Sequence, residues 1–311
     1  MTPVLSLIEV SKHFGKTTAV DRAGFEVPKG HIYGILGPNG AGKTTTLRMV
    51  NNIMIPDEGT ILIRGEPVSR STQDLVGYLP EERGLYKKMK VFEQLFYLTR
   101  LKGLTAGQAR RTLDYWLGRF EAQTWAKKEI GELSKGMQQK IQFIATIAHD
   151  PEICIFDEPF SGLDPINSEL LKKIILELRD RGKSIIFATH RMEQVEQMCD
   201  YICLFNKGKV ILEGKLDEIR RSYGSNTVQL SFSGDGSFID RFDDVRVNNR
   251  SANFAEIRLL NGKSEQELLH EAIRHVDIQK FEFLQPSLNE IFISAVGKNN
   301  GSQEQTRVQT P

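Results

Sequence analysis

The chain has 311 residues, and its 41 basic and 40 acidic side chains leave a formal net charge of +1. This length predicts about two domains. The near-zero charge argues against a general nucleic-acid-binding protein, because such proteins carry an excess of basic residues. Three cysteines are too few for a disulfide framework and fit a reducing compartment.

The first two thirds of the chain alternate short apolar segments with helical patterns. Strands are predicted at residues 4–10, 24–27, 31–36, 61–63, 153–156 and 184–188. Helical spacing of apolar residues is found over 91–120, 134–149 and 168–179. The last two strands are almost continuously apolar, which is typical of a parallel sheet that is buried on both faces. The alternation of strands and helices predicts an α/β fold.

The pattern changes after residue 221. Alternating polar and apolar residues predict half-buried strands at 227–232 and 278–284. Ser264 and Ser287 each precede a glutamate at the spacing of a capping box, which predicts a helix start at both positions. These elements form a second, smaller α+β domain.

The domain boundaries follow from these changes in pattern. The first domain is predicted to cover residues 1–221 and the second to cover residues 222–296. Residues 297–311 contain one large apolar residue, Val308, and cannot bury enough apolar surface to fold. They are therefore predicted to be a disordered tail.

A glycine-rich loop follows the strand at 31–36 and fits the pattern G-x-x-x-x-G-K-[ST] of phosphate-binding loops. Successive backbone N–H groups of such a loop point at phosphate oxygens, and the next helix adds partial positive charge. Lys43 is expected to reach the β- and γ-phosphates and the Thr44 hydroxyl to bind Mg²⁺. A turn without a ligand is the alternative, which the Lys-Thr pair in register disfavours. The residues expected to hold the nucleotide are Gly37, Pro38, Asn39, Gly40, Ala41, Gly42, Lys43, Thr44 and Thr45.

Two carboxylates end the apolar strand at 153–156. We expect Asp157 to hold Mg²⁺ and Glu158 to polarise the water that attacks the γ-phosphate. An acidic pair that merely meets solvent is the alternative, and it would be preferred if the chain had no phosphate loop.

Residues 133–140 (Leu-Ser-Lys-Gly-Met-Gln-Gln-Lys) resemble the signature L-S-G-G-Q of the ATP-binding subunits of ABC transporters. Residues 161–164 resemble the D-loop of that family, and His190 resembles its switch histidine. The four motifs occur in the family's order and spacing. The resemblance implies a P-loop NTPase core with an antiparallel β subdomain and a helical subdomain.

The resemblance also implies how the chain works. Two such subunits face head to tail, so that Ser134 and Gly136 of one contact the γ-phosphate of the ATP held by the other. His190 would sense the γ-phosphate, and Phe14 resembles the aromatic residue that stacks on adenine; a phenylalanine of the core is the alternative. The implied partners are a second copy of the chain and an integral membrane permease, without nucleic acid. The implied location is cytoplasmic, on the inner face of the cell membrane.

Two departures from the family pattern stand out. Glu81 occupies the position of a glutamine that binds Mg²⁺, and Lys135 and Met137 replace a glycine and a glutamine of the signature. A carboxylate is also a ligand for Mg²⁺, so Glu81 is assigned to the metal. Ser134 and Gly136 remain for the phosphate contacts.

Residues 77–86 and 286–292 are similar to a narrower group, the bacterial sodium-efflux type of ATPase. This similarity implies export of sodium ions or another small cargo, powered by ATP. The alternative is a soluble ABC ATPase that acts on nucleic acid or ribosomes. Such proteins usually carry a long coiled-coil insertion or two cassettes, and neither is found in this sequence.

Overall fold

The computed structural model of the chain describes residues 3–82, 84–223, 227–260, 264–284 and 286–305, with side chains as far as residue 297. The chain forms two compact units, Met1–Lys215 and Leu216–Pro311. The sequence analysis instead predicted the division after residue 221. Within the described ranges, every helix is too short or too polar to span a membrane.

Two sheets and six helices make up the described part of the first unit. Its strands are β1 (Pro3–Phe14), β2 (Thr17–Pro28), β3 (Ile32–Leu36), β4 (Glu58–Ile63), β5 (Glu66–Pro67), β6 (Val76–Leu79), β7 (Ile153–Asp157), β8 (Ser184–Thr189), β9 (Tyr201–Asn206) and β10 (Lys209–Lys215). Its helices are α1 (Lys43–Val50), α2 (Val91–Leu101), α3 (Ala106–Arg119), α4 (Lys135–Ile147), α5 (Pro165–Asp180) and α6 (Met192–Met198).

The central sheet has the strand order β10-β9-β3-β8-β7-β6. Adjacent strands of this sheet are parallel, except for the antiparallel pair β9 and β10. Every residue of β3, β7 and β8 is buried, as their uninterrupted apolar sequences predict. The carboxyl ends of these three strands lie at one edge of the sheet. In open α/β sheets, ligands bind outside that edge.

The second sheet of this unit is antiparallel, with the order β2-β1-β4-β5. A shared apolar core joins it to the central sheet and to α1, with Leu5 and Phe25 on one side, Ile35 and Ile186 on the other, and Leu47 from the helix. These five side chains are at most 3% exposed. The core therefore fixes α1, and with it the loop that precedes the helix.

The helical segment predicted over 91–120 is two helices, α2 and α3, in the structure. The chain reverses direction at Gly103, whose φ of +89° is easily adopted by glycine. Thr105 then caps α3, because its hydroxyl accepts a hydrogen bond from the Gln108 N–H while the Gln108 side chain accepts one from the Thr105 N–H. These two features divide the apolar pattern.

The second unit contains α7 (Leu216–Ser222), β11 (Thr227–Ser233), β12 (Val245–Ser251), β13 (Phe254–Leu259), α8 (Glu265–His275), β14 (Asp277–Leu284) and α9 (Leu288–Gln305). Its antiparallel sheet has the order β12-β13-β11-β14. The sequence analysis did not predict β12 and β13. Strand β12 is hard to predict because its sequence, Val-Arg-Val-Asn-Asn-Arg-Ser, has little alternation of apolar and polar residues.

The two predicted helix caps of this unit differ in detail. Ser287 and Glu290 exchange the reciprocal hydrogen bonds of a capping box, whereas Ser264 accepts from the N–H of Gln266. Helix α9 continues past Gly297, where the tail was predicted to begin. The final predicted tail residues, 306–311, lie outside the described residues.

Candidate active site

The glycine-rich loop between β3 and α1 is held against two neighbouring strands. Gly37 and Gly42 have φ angles of +151° and +107°. A Cβ on Gly37 would lie 2.4 Å from the carbonyl oxygen of Phe205 on β9, and a Cβ on Gly42 would lie 2.6 Å from that of Ala19 on β2. Only glycine fits both positions, so the packing of the fold itself requires the spacing of these glycines.

Lys43 begins α1 and lies folded over the loop. Its Nζ donates hydrogen bonds to the carbonyl oxygens of Gly37 at 2.7 Å and Pro38 at 3.1 Å. Burial lowers the pKa of Lys43, and the nearby carboxylates of Glu158, Asp157 and Glu81 act in the opposite direction. The ammonium group therefore lies buried within the loop, facing an acidic environment.

A cavity of about 210 Å³ opens over the loop. It brings together most of the residues that the sequence singled out, from three separate parts of the chain. Its lining consists of Ala19, residues 39–45, Glu81, Asp157 and Glu158. Gly37 and Pro38 contribute to the loop through their carbonyl groups and do not line the cavity.

Asp157, the last residue of β7, faces this cavity with two carboxylate oxygens that have no hydrogen-bond partner among the described residues. Asp157 as a whole is 1% exposed. Burial, and to a smaller extent the charges of Glu81 and Glu158, raise the pKa of Asp157 to about 6. The Thr44 hydroxyl and the charge of Lys43 act in the opposite direction. A buried charge without partners is costly. Oxygen ligands of this kind fit Mg²⁺, a hard cation that carboxylates and hydroxyls bind.

Glu158 is oriented by the end of β8. Its carboxylate accepts hydrogen bonds from the Thr189 hydroxyl at 3.1 Å and the His190 N–H at 2.9 Å, and it lies 2.6 Å from His190 Nδ1. The Glu158 N–H donates to the carbonyl oxygen of Ala188 at 2.9 Å. Its φ of +49° is uncommon for a residue with a side chain. The surrounding bonds thus hold one carboxylate at the cavity wall, with His190 behind it.

Ser134 and Gly136 lie outside the cavity of their own chain. Ser134 is the exposed N-cap of α4, and its hydroxyl accepts a hydrogen bond from the Met137 N–H at 3.3 Å. Gly136 packs beside Gly162 and Leu163 of the predicted D-loop, which lie 3.5 to 3.7 Å from the position of a Cβ. The structure therefore joins the signature to the D-loop of the same chain, and not to its phosphate loop.

Phe14 ends β1 and is 49% exposed, which disagrees with the alternative of a phenylalanine in the core. The Lys12 Nζ lies 6.0 Å from the centre of its ring. Phe14 does not line the cavity, although its strand pairs with β2, which contributes Ala19. One face of an aromatic ring is therefore available near the loop.

Three residues of the site were not found by sequence reasoning. Thr189 is a polar residue at the end of a buried strand, a signal that was available in the sequence. Ala19 has no such signal, because only the folded hairpin brings it to the loop. Gln142 donates hydrogen bonds from its amide to the carbonyl oxygens of Pro80 and Glu82, on either side of Glu81.

Comparison with known proteins identifies the family. A family model described as ABC transporter matches residues 20–161, and one described as the ATP-binding protein DrrA1-3-like C-terminal domain matches residues 214–296. The ABC transporter ATP-binding protein YhaQ of Bacillus subtilis (strain 168), itself uncharacterized, is 44% identical over 94% of this chain and 99% of its own length.

Two further relatives agree with this assignment. The linearmycin resistance ATP-binding protein LnrL of the same organism is 30% identical over 95% of this chain and 99% of its own. A solved structure of an ATP-binding subunit of an ABC transporter covers 71% of this chain and 93% of its own, with a TM-score of 0.67 and 29% identity. The predicted P-loop NTPase fold is confirmed. The chain belongs to the ABC transporter ATP-binding proteins, the ATP-hydrolysing subunits of these transporters.

Proposed function

We propose that the cavity over the glycine-rich loop binds Mg·ATP, and that hydrolysis there powers export through a separate integral membrane permease. The observation that carries this proposal is the pair of unpartnered carboxylate oxygens of Asp157, buried beside Lys43 and Thr44. Mg²⁺ would bind the carboxylate oxygens of Asp157, and the phosphate groups of ATP would bind the ammonium group of Lys43.

The phosphates are bound by the loop and Lys43. The backbone N–H groups at the start of α1 carry partial positive charge. Lys43 exchanges its bonds to the carbonyls of Gly37 and Pro38 for phosphate oxygens. Asp157, Thr44 and Glu81 hold Mg²⁺, which when bound neutralises charge on the phosphates. Phe14 offers its exposed face to the adenine ring.

Glu158 acts on the attacking water. Its carboxylate is fixed at the cavity wall by Thr189 and His190, which leaves it oriented to accept a proton from a water beside the γ-phosphate. His190 lies against the Glu158 carboxylate, and Glu158 in turn lies beside the γ-phosphate. His190 is therefore placed to respond to the charge of that phosphate. The reaction is an in-line displacement at phosphorus, for which positioning and charge stabilisation supply most of the catalysis.

A second copy of the chain completes the site. Ser134 and Gly136 lie outside the cavity of their own chain, and Ser134 is exposed at a helix N-terminus. In a head-to-tail homodimer these residues contact the γ-phosphate of the other chain, so ATP holds the dimer together and hydrolysis releases it.

The direction of transport follows from similarity. The name of LnrL describes resistance to linearmycin, and removal of a toxic compound is export. By analogy the present chain powers export of a small cargo, sodium ions among the candidates. It works at the inner face of the cell membrane, where the permease receives it.

Glu158→Gln tests the proposal. The amide still accepts one hydrogen bond but cannot take a proton, so hydrolysis should fall about 10²- to 10⁴-fold. ATP binding should persist, and light scattering should detect an ATP-dependent dimer. Glu66→Gln, at an exposed glutamate of β5, is the matched control and should hydrolyse ATP like the wild type. Full activity of Glu158→Gln, or a monomer at high protein and ATP concentration, would refute the mechanism.

A further inference from the structure

The outer edge of the central sheet is closed by a helix instead of a strand. Strand β6 is the last strand of this sheet and, within the part of the chain that the structure describes, pairs with β7 alone. The free edge of a strand leaves a row of carbonyl groups that need partners. Helix α4, which begins at the signature, packs along this edge.

Side chains from α4 and the residues after it bind alternate carbonyl oxygens along this edge. His149 Nε2 lies 3.3 Å from the oxygen of Val76. The Thr146 hydroxyl donates to the carbonyl oxygen of Gln142 in its own helix at 2.9 Å and lies 3.4 Å from that of Tyr78. The Gln142 amide then donates to the oxygens of Pro80 at 3.3 Å and Glu82 at 3.1 Å. The four carbonyls belong to every second residue; the first two lie in β6, where alternate residues face one side of the strand, and the other two lie in the turn after it.

The helix and the strand are in close contact here. A Cβ on Gly77 would lie 2.3 Å from the carbonyl oxygen of Thr146 and 2.9 Å from the Pro151 ring. Only glycine permits this approach, so the backbones of β6 and α4 lie in direct contact at this point. The spacing is part of the fold and does not depend on one long side chain.

Gln142 is the member of this row that lies beside the active site. It is 5% exposed, and its two hydrogen bonds go to the carbonyl oxygens of Pro80 and Glu82, the residues before and after Glu81. Glu81 itself lines the cavity with Asp157 and Lys43. The amide of Gln142 therefore binds the main chain on both sides of Glu81, the residue whose carboxylate we assign to the metal.

We propose that Gln142 is a positioning residue, which fixes Glu81 at the Mg²⁺ site and ties its position to the signature helix. The inference rests on the proposed function. Because α4 is one continuous helix, its N-terminus at Ser134 and Gln142 two turns later move as one body. Contact of Ser134 with the nucleotide of the other chain is thereby transmitted to the metal site of its own chain.

Gln142→Met tests this role, because methionine keeps the length of the side chain and removes the amide donor. The Mg²⁺ concentration that gives half-maximal hydrolysis should rise about 10-fold, the usual effect of losing a group that orients a metal ligand. The affinity for ATP in the presence of EDTA, measured with a fluorescent ATP analogue, should stay at the wild-type value. The same analogue titrated with Mg²⁺ gives the metal affinity without any reliance on activity.

Thr146→Val is the matched control on the same helix. It removes the hydroxyl near Tyr78, together with that hydroxyl's bond to the Gln142 main-chain carbonyl, and leaves both bonds from the Gln142 amide in place. Its Mg²⁺ dependence should match that of the wild type. If both variants lower the rate alike at an unchanged Mg²⁺ requirement, the row of bonds only closes the sheet edge, and the positioning role is wrong.

A double-mutant cycle separates the positioning of Glu81 from a general effect of the Gln142 substitution on the fold. In a Glu81→Ala background there is no carboxylate to position, so Gln142→Met should not change the Mg²⁺ requirement further. An equal shift in both backgrounds would overturn the proposal. Failure of the proposed function has a different outcome, namely a wild-type protein that neither binds nor hydrolyses ATP.

Discussion

At the scale of single residues, two neighbouring carboxylates have opposite surroundings. Asp157 is buried and its oxygens have no partner among the described residues, whereas Glu158 accepts bonds from Thr189 and His190. The first is poised to receive a cation, and the second is held where it can receive a proton. Their separate roles follow from the end of β7, because a turn into positive φ at Glu158 points the two side chains differently.

Asp157→Asn should stabilise the protein without nucleotide and abolish hydrolysis. Burial raises the pKa of Asp157 to about 6, above the 3.8 of an exposed aspartate. The folded state therefore binds this proton more tightly than the unfolded state, and the ionised carboxylate destabilises the fold at neutral pH. The gain in unfolding free energy should be on the order of 1–3 kcal/mol above pH 6 and should vanish toward pH 4.

Thermal unfolding at pH 7.5 and pH 4 measures this difference. With Mg·ATP present the order should reverse, because only the wild type gains binding free energy. Asp114→Asn, at an exposed aspartate of α3, should leave both transitions unchanged. A variant less stable than the wild type at pH 7.5 would show that Asp157 supports the fold through contacts that the cavity does not reveal.

At the scale of elements, the sequence predicted best the strands and loops that are buried or glycine-dependent. The apolar runs of β3, β7 and β8 and the loop before α1 were located because parallel strands and phosphate loops allow few residue types. The division between α2 and α3 was missed, since it depends on Gly103 and a cap at Thr105. Strand β12 was missed because its register is set by β13 and not by its own sequence.

The same distinction applies to the site. Lys43, Asp157 and Glu158 were predicted to act on one nucleotide, because a phosphate loop and a strand that ends in two carboxylates are both motifs of such sites. Gln142 was not predicted, although it lies in the signature helix, because its partners are main-chain carbonyls in the turn after β6, one of them 60 residues away. Contacts between side chains and distant backbone leave no pattern in a sequence.

His149, close after α4, makes stability depend on pH. Burial and then the charge of Lys102 lower the pKa of His149, and the result is a pKa of about 4. The hydrogen bond with Val76 and the charges of Asp150 and Asp74 oppose this shift. The unfolded chain therefore binds this proton more tightly, near pH 6.5, and stability is lost as the pH falls from 6.5 toward 4. Between pH 7 and 5 the loss from this residue should be on the order of 1–2 kcal/mol.

His149→Gln should remove this part of the pH dependence, because glutamine keeps a donor for the carbonyl oxygen of Val76 but does not titrate. Urea unfolding at pH 7 and pH 5 measures it. The exposed His270 of α8 supplies the control, and His270→Gln should keep the wild-type loss. An unchanged loss in His149→Gln would mean that other groups cause the acid sensitivity.

At the scale of the whole molecule, the proposed mechanism assigns to one chain two halves of a nucleotide site that do not meet. The loop, Asp157 and Glu158 line one cavity, while Ser134 stands at the start of α4 outside it. In a closed dimer with a twofold axis, each chain supplies both halves, one to each site. Two chains with different defects can therefore restore one intact site.

A mixture of Lys43→Ala and Ser134→Ala chains should hydrolyse ATP, although each variant alone is inactive. One site of a mixed dimer combines both defects, and the other combines an intact loop with an intact signature. Half of randomly formed dimers are mixed, and each keeps one of two sites, so the rate should reach about a quarter of the wild-type value. Lys43→Ala mixed with the double variant has no intact site and should stay inactive. If the first mixture were as inactive as this control, the proposed sharing of sites between two chains would be wrong, because one site of each mixed dimer contains neither defect.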